Sequence, residues 1–218
     1  GYSDVELNGF SRVYGFSNSG AGTTDTVTFQ GSVADEFFSG AAGSSYMRAA
    51  TNSYINQMIG FDVVDATGGG GTDTANLYDS SQSDQFMADG TGATMNYDYL
   101  VTPLAEITVS GFGSIGAYST LGGTDDAVLT GSSGDNTADS RATYTTLTDG
   151  TSSFFHRASG FATITVDALA GGTDVAKVYD SSGDDDVTAS STQVTMDRDA
   201  GYSDVELNGF SRVYGFSN

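Results

Sequence analysis

Short runs of alternating apolar and polar residues continue along most of the chain. The apolar pairs include Ala75/Leu77, Phe86/Ala88, Ala93/Met95, Ile107/Val109 and Ile115/Ala117, and Asn or Thr separates the members of three of them. A period of two is typical of β-strands that bury one face. Apolar spacing of three or four residues is sustained nowhere, and the many Gly, Ser, Thr and Asp residues disfavour helices. The sequence therefore predicts an all-β protein.

Two nested repeats divide the chain. Residues 1–18 recur unchanged as residues 201–218, which sets a period of 200 residues. Within it, four units of about 50 residues begin near Asp25, Asp73, Asp125 and Asp174. A Gly-Phe step, followed three residues later by Val or Ile, has the same period and falls at Phe10, Phe61, Phe112, Phe161 and Phe210. We interpret residues 1–218 as one continuous segment of repeats, with the recurring phenylalanines in its core.

The two halves of each unit resemble each other, so a unit is predicted to form about two coils. Such coils suit a parallel β-helix, or β-solenoid, in which each turn lays its strands on those of the turn before. We expect right-handed winding, because crossovers between parallel strands are almost always right-handed. Eight coils per period, at about 4.8 Å each, would place the two copies of residues 1–18 roughly 38 Å apart.

Charge and composition narrow the possible partners. The chain has 28 acidic residues against 7 basic ones, a formal net charge of −21, and no cysteine. Nucleic acids and anionic membrane surfaces are disfavoured, because both require clustered basic side chains. No apolar run approaches the roughly 20 residues that cross a bilayer, so we expect no membrane insertion. The amino terminus also lacks the form of a signal peptide, and any export signal would lie outside this segment.

A family resemblance rests on three recurring sequences, best seen in residues 75–80, 111–118, 122–125 and 176–185. They are Ala-x-[Leu/Val]-Tyr-Asp-Ser, Gly-Phe-x-x-[Val/Ile]-x-Ala-Tyr and Gly-Gly-Thr-Asp. Their alternation resembles the tandem-repeat arrays of very large secreted bacterial surface proteins, notably those of planctomycetes. Residues 31–58 depart from the pattern. The resemblance implies a β-solenoid in an extracellular or cell-surface fibre, and it identifies no ligand.

Acidic residues cluster where each unit turns. Seven residues after the opening aspartates come Ser32, Ser80, Ser132 and Ser181, and three residues later come Asp35, Asp135 and Asp184, with Asp84 displaced by one place. One interpretation is a calcium site, because Ca²⁺ takes six to eight oxygen ligands. The candidate ligands are Asp180, Asp184 and Asp186, with Asp79, Asp84 and Asp135 as their counterparts in other units. The alternative is that Asp, Ser and Gly only cap and bend turns.

The tyrosines and the single histidine indicate a function less clearly than the acidic residues do. Tyr78 and Tyr179 each follow an inward residue, so they should face outward, where aromatic rings serve lateral contacts or bind sugars. His156 is the only histidine and lacks counterparts in the other units, which favours an ordinary surface residue. No Ser/His/Asp constellation, zinc spacing or phosphate loop is present. We therefore expect no catalytic residues and no enzyme activity.

Three functions are compatible with these features of the sequence. A structural extracellular fibre is favoured, because long regular repeats supply length, whereas catalysis requires one irregular place. A calcium-dependent adhesin is the alternative, and a polysaccharide-degrading β-helix enzyme is a remote one. The fibre requires no cofactor, although calcium would serve the adhesin. Its partners would be further copies of the repeat along the chain, with lateral fibre contacts or surface glycans.

Overall fold

The computed structural model describes residues 9–18, 23–98, 100, 105–151, 153–169 and 171–217, and these residues contain 21 strands and no helix. The strands are β1 Arg12–Phe16, β2 Thr26–Gln30, β3 Glu36–Ala41, β4 Ser44–Ala49, β5 Ile55–Ile59, β6 Val63–Thr67, β7 Thr74–Tyr78, β8 Gln85–Asp89, β9 Gly92–Tyr97, β10 Ala105–Ser110, β11 Ser114–Tyr118, β12 Asp126–Thr130, β13 Asn136–Arg141, β14 Tyr144–Asp149, β15 Phe155–Ser159, β16 Thr163–Asp167, β17 Val175–Tyr179, β18 Asp186–Ala189, β19 Gln193–Asp197, β20 Asp204–Asn208 and β21 Arg212–Phe216. The predicted all-β class is confirmed.

The strands form two sheets. Sheet A has 11 strands in the order β1-β5-β4-β3-β7-β11-β15-β14-β13-β17-β21. Sheet B has 10 strands in the order β2-β6-β10-β9-β8-β12-β16-β20-β19-β18. The chain passes repeatedly from one sheet to the other and adds strands along a common axis. This arrangement is a β-solenoid, as the sequence predicted.

Each unit of the solenoid is built in the same way. A single strand in one sheet is followed by a three-stranded antiparallel meander in the other sheet, and then by a single strand back in the first. The second unit places β7 and β11 in sheet A and β8–β10 in sheet B, whereas the third unit exchanges the sheets. Residues 31–58, whose sequence departs from the repeat pattern, contain the equivalent meander β3–β5.

The meanders change the expected coil count. The chain crosses between the sheets three times in each unit, which is a coil and a half rather than two coils. The strand pairings comprise 11 parallel and 8 antiparallel ladders. Alternation did not reveal the meanders, because strands with parallel and antiparallel neighbours bury side chains with the same period of two.

The repeated strands β1 and β21 have identical sequences and lie at opposite ends of sheet A. Ten strand positions separate them, which corresponds to about 48 Å at the usual strand spacing. For the parts of the two copies that the structure describes, the separation of roughly 38 Å expected from eight coils is therefore too short, while residues 1–8 and 218 lie outside the described residues. The difference arises because every meander adds strands to a sheet without adding a crossing.

A single hydrophobic core fills the space between the sheets. The inward residues of both sheets contribute to it, and the Gly-Phe side chains of Phe112 and Phe161 are buried as predicted. Phe61 and Phe210 are partly buried against the same core, whereas Phe10 is exposed next to β1 at one end of sheet A. The core therefore runs continuously along the axis.

His156 belongs to this core, so the prediction of a surface histidine is wrong. Its side chain is only 1% exposed, and its ring stacks on Phe154 with the centroids 4.6 Å apart. Nε2 lies 2.7 Å from the carbonyl oxygen of Asp89, whereas Nδ1 has no hydrogen-bond partner among the described residues. The structure thus holds His156 as a neutral imidazole that donates through Nε2.

Acidification should destabilise the chain through His156. Burial lowers the pKa of His156 below its ordinary value near 6.5. Below that value the unfolded chain takes up the proton first, so stability is lost as the pH falls from about 6.5 until the folded-state pKa is passed. His156→Val introduces the residue found at the equivalent place in the fourth unit, Val205. Denaturant unfolding between about pH 7 and pH 5 should show a smaller loss of stability in the variant. Parallel curves for the two proteins would contradict the buried neutral histidine.

Candidate functional site

The acidic corners join each unit to the one before it. Three aspartates open successive units and are almost fully buried, and each accepts a hydrogen bond from a backbone N–H of the preceding unit. We call these residues, Asp73, Asp125 and Asp174, the latch aspartates. The donors are the N–H groups of Glu36 (2.7 Å), Asp84 (2.7 Å) and Asn136 (2.9 Å), and we call these donor residues the partner positions.

A second hydrogen bond runs across each corner in the opposite sense. The backbone N–H that precedes a latch aspartate donates to a side chain of the preceding unit. Thr72 donates to Asp35 at 2.7 Å and Thr173 donates to Asp135 at 2.6 Å. In the middle corner, Thr124 donates to the Ser83 hydroxyl at 3.1 Å. Two reciprocal bonds therefore fix the register between neighbouring units.

Each turn is also closed within its own unit by a serine and the residue four places later. The backbone N–H of Ser181 donates to Asp185 at 2.6 Å, and Ser80 makes the same bond to Asp84. The pairs are Ser32/Glu36, Ser80/Asp84, Ser132/Asn136 and Ser181/Asp185. Asp84 is therefore not displaced: it is the true counterpart of Asp185. The predicted spacing of three residues after serine is therefore wrong, and the bonded residues Glu36 and Asp185, four places after serine, were not among the predicted ligands.

The six predicted calcium ligands occupy different environments. Asp79 and Asp84 are buried and each accepts three hydrogen bonds, and Asp79 accepts the N–H groups of Thr120 and Leu121 at 2.7 Å each. Asp135, Asp184 and Asp186 are exposed, and Asp180 is half-buried. Within the described ranges, no group of three or more His, Cys, Asp or Glu residues is placed to hold a metal ion. The calcium site stays a prediction, which the arrangement of these side chains does not favour.

Two corners nevertheless bring carboxylates together in a buried setting. Glu36 lies beside Asp73 in one, and Asp84 lies beside Asp125 in the other. Burial raises the pKa of Asp73 and that of Asp125, and the neighbouring charges of Glu36 and Asp84 act in the same direction. A shared proton or a bound cation would relieve this repulsion.

In the third corner, between the units that open at Asp125 and Asp174, an amide replaces one of the two carboxylates, so no such repulsion arises. Asn136 stands at the partner position, and its Nδ2 donates to Oδ1 of the latch aspartate Asp174 at 2.8 Å. The same amide group also donates to the carbonyl oxygens of Ser132 and Gly134. An uncharged donor thus occupies the place of a carboxylate, so this corner requires neither a proton nor a cation.

The fourth corner contains its own cation, Arg198. The guanidinium is buried and donates to the carbonyl oxygens of Ser203 and of Tyr179, the latter at 2.8 Å. Burial lowers the pKa of Arg198, whereas the nearby charges of Asp185, Asp204 and Asp180 act to raise it. The corner that the sequence analysis favoured most for calcium therefore already has a positive charge beside it.

Comparison of the chain with known protein families, with curated proteins and with solved structures finds no match. The described residues also contain no helix that is long and apolar enough to cross a membrane. The geometry of the corners supports a mechanical role first, since each latch aspartate connects two consecutive units.

Replacing the amide of the third corner by a carboxylate should destabilise the stack. Asn136→Asp places a second acid beside Asp174 and removes three donated hydrogen bonds, so we expect a loss of about 2–4 kcal/mol in the free energy of unfolding at pH 7. The loss should shrink as the pH falls, because the new carboxyl group can then hold a proton. Denaturant unfolding at several pH values measures both effects.

Asn76→Asp provides the matched control, because Asn76 faces outward on β7 and its neighbours across the sheet, Ser39 and Gly116, carry no charge. The same chemical change there should alter stability by less than about 0.5 kcal/mol. Equal effects of the two substitutions would show that the Asn136 amide has no special role in the corner.

Proposed function

We propose that this chain is a structural segment of an extracellular or cell-surface fibre built from tandem β-solenoid repeats. The observation that carries the proposal is the placement of the two identical strands β1 and β21. They point in the same direction in sheet A, ten strand positions apart, and they use opposite edges for pairing. One edge of β21 pairs with no strand in the described part of the chain, and it is the edge that β1 uses to pair with β5.

This geometry supports extension by further periods. A following period would supply its own copy of β5 to the free edge of β21, in the register that β1 and β5 already show. The repeated sequence would then give the same surroundings to each copy, because each strand contacts only its immediate neighbours. Growth in this way needs no new type of contact and has no fixed end.

The continuity of the core and of the corners supports a mechanical role. The core cluster extends through both sheets, and latch aspartates connect successive units. Tension along the axis would be shared by strand ladders and by these side chains. The only histidine is buried in the core and bonded to backbone, which supports a non-catalytic role. The acidic, cysteine-free composition and the resemblance to secreted surface arrays support an exterior location.

A chain of two full periods should form one rod. Adding 200 residues should lengthen it by about 48 Å without changing its cross-section, because ten strand positions are added to each sheet. Small-angle scattering measures both quantities. Val213→Pro in the strand at the junction is the control, since proline removes a ladder hydrogen bond and should divide the rod into two parts that unfold separately. Two separate globules in the parent protein would contradict the fibre.

A calcium-dependent adhesin is the second candidate, favoured by the buried carboxylate pairs Glu36/Asp73 and Asp84/Asp125. In this function, calcium would hold the corners together while outward tyrosines or threonines contact a surface glycan. The two functions share the same solenoid, so the cation requirement distinguishes them.

Calorimetric titration with calcium at millimolar concentrations tests the second candidate. If the carboxylate pairs bind calcium, Asp84→Asn should abolish one site, because it gives the middle corner the amide that Asn136 provides in the next one. The protein with Asn76→Asp should titrate like the parent, because that substitution adds a carboxylate with no acidic neighbour across the sheet. Absence of a calcium signal in the parent would remove the adhesin and leave the fibre unaffected.

A further inference from the structure

The outward positions of sheet A carry nearly all the positive charge of the chain. Side chains that alternate with the buried ones include six of the seven basic residues, namely Arg12, Arg48, Arg141, Arg157, Lys177 and Arg212. Among the described strands of this sheet, Asp139 is the single outward acid, and it is paired with Arg141. We call this surface the basic face.

The outward positions of sheet B have the opposite character. They hold nine acids in the described strands and no basic residue. These acids are Asp65, Asp89, Glu106, Asp126, Asp167, Asp186, Asp197, Asp204 and Glu206. Threonine fills many of the remaining outward positions. We call this surface the acidic face.

Aromatic side chains form a ridge along one edge of the basic face. The strand registers place six of them in one column, which contains Phe16, Tyr78, Tyr118, Tyr144, Tyr179 and Phe216. Tyr78 stacks on Tyr118 with centroids 5.4 Å apart, and the Arg141 guanidinium lies 3.4 Å from the centroid of Tyr179. Tyr179 also stacks on Phe216 with the centroids 4.7 Å apart, so four of the six rings are held by stacking, which lowers the entropic cost of binding a partner.

The acidic face offers a place for such a ridge. A shallow groove of about 450 Å³ opens on it where the meander β8–β10 meets β12, and it is lined by Met87, Thr94, Thr108, Val128 and Thr130 among others. Its lining is largely apolar and threonine-rich, and it includes the carboxylate of Asp89. An aromatic ring can pack on the apolar and threonine side chains of this groove, while a neighbouring guanidinium pairs with the Asp89 carboxylate.

We infer that the basic face of one segment docks on the acidic face of a second copy of this chain. Basic on basic and acidic on acidic would both bring like charges together, so only the mixed contact is electrostatically complementary. The contact joins two different surfaces of the same molecule, so each added copy presents a fresh face and layers can grow. It uses faces that a single period already contains, and it therefore holds whether or not the chain is part of a fibre.

The area of the faces is sufficient for this contact. Eleven strands at about 4.8 Å, each five residues wide at about 3.3 Å, give a face of roughly 900 Å². Stable protein interfaces bury about 800 Å² per partner. One period therefore presents an area of standard size on each side.

Analytical ultracentrifugation at low and high salt tests the inference with two charge-reversal variants. One replaces Arg48, Arg157 and Lys177 by Glu on the basic face, and the other replaces Asp65, Glu106 and Asp197 by Lys on the acidic face. The parent should associate at about 20 mM salt and dissociate at about 500 mM. Each variant alone should associate at least about tenfold more weakly. An equimolar mixture should recover association, because each variant keeps the intact face that the other lacks.

Three further measurements distinguish face-to-face docking from loss of folding and from other modes of association. Circular dichroism and thermal unfolding should match the parent, so that loss of association is not loss of folding. Scattering should show a thicker cross-section on association, which end-to-end pairing of sheet edges would not produce. If only the basic-face variant loses association, the aromatic ridge pairs with itself and the inference is wrong. A parent that sediments as a monomer at low salt, or whose association is independent of salt, would also overturn it.

Discussion

The register between successive units depends on a buried aspartate that accepts a backbone N–H across the boundary. Asp73, Asp125 and Asp174 perform this function at three successive corners. Burial of a carboxylate is unfavourable unless its oxygens accept hydrogen bonds, so a slip of one residue would leave the charge unsatisfied. The same slip would turn every core side chain of the strand to the solvent. The corner and the core therefore specify one register together.

The fixed register determines what the two outer surfaces present. Side chains that share a position in their strands form columns along the axis, and this is how Tyr78 comes to stack on Tyr118. Because the meander alternates between sheets from one unit to the next, equivalent residues of consecutive units appear on opposite faces. Segregation of basic residues on sheet A is thus a property of the sequence within the 200-residue period, and the 50-residue unit alone does not produce it.

Local properties of the fold were predictable and non-local ones were not. Alternation identified the strands and correctly turned Leu77 inward and Tyr78 outward, because side-chain direction depends only on the neighbouring residues. It could not reveal that β9 runs antiparallel to β8, since pairing direction leaves no trace in that pattern. His156 was assigned to the surface on its chemistry alone, although its alternation with Ala158 matches the inward pair Ile107 and Val109. At the corners, the aspartates three residues after serine, such as Asp184, were predicted as the important ones. The side chain that bonds to the serine belongs to the next residue, such as Asp185.

The four units satisfy equivalent backbone groups with different side chains. The carbonyl oxygen of Tyr78 accepts the hydroxyl of Tyr97 at 2.9 Å, and the equivalent carbonyl of Tyr179 accepts the Arg198 guanidinium at 2.8 Å. At the partner positions, Glu, Asp and Asn all donate the same backbone N–H to a latch aspartate. The backbone requires only that each group be bonded, so the chemistry of the bonding side chain is free to vary. The net charge of each corner can therefore differ along the axis although the backbone pairing is the same in every unit. Successive units consequently respond differently to protons and cations.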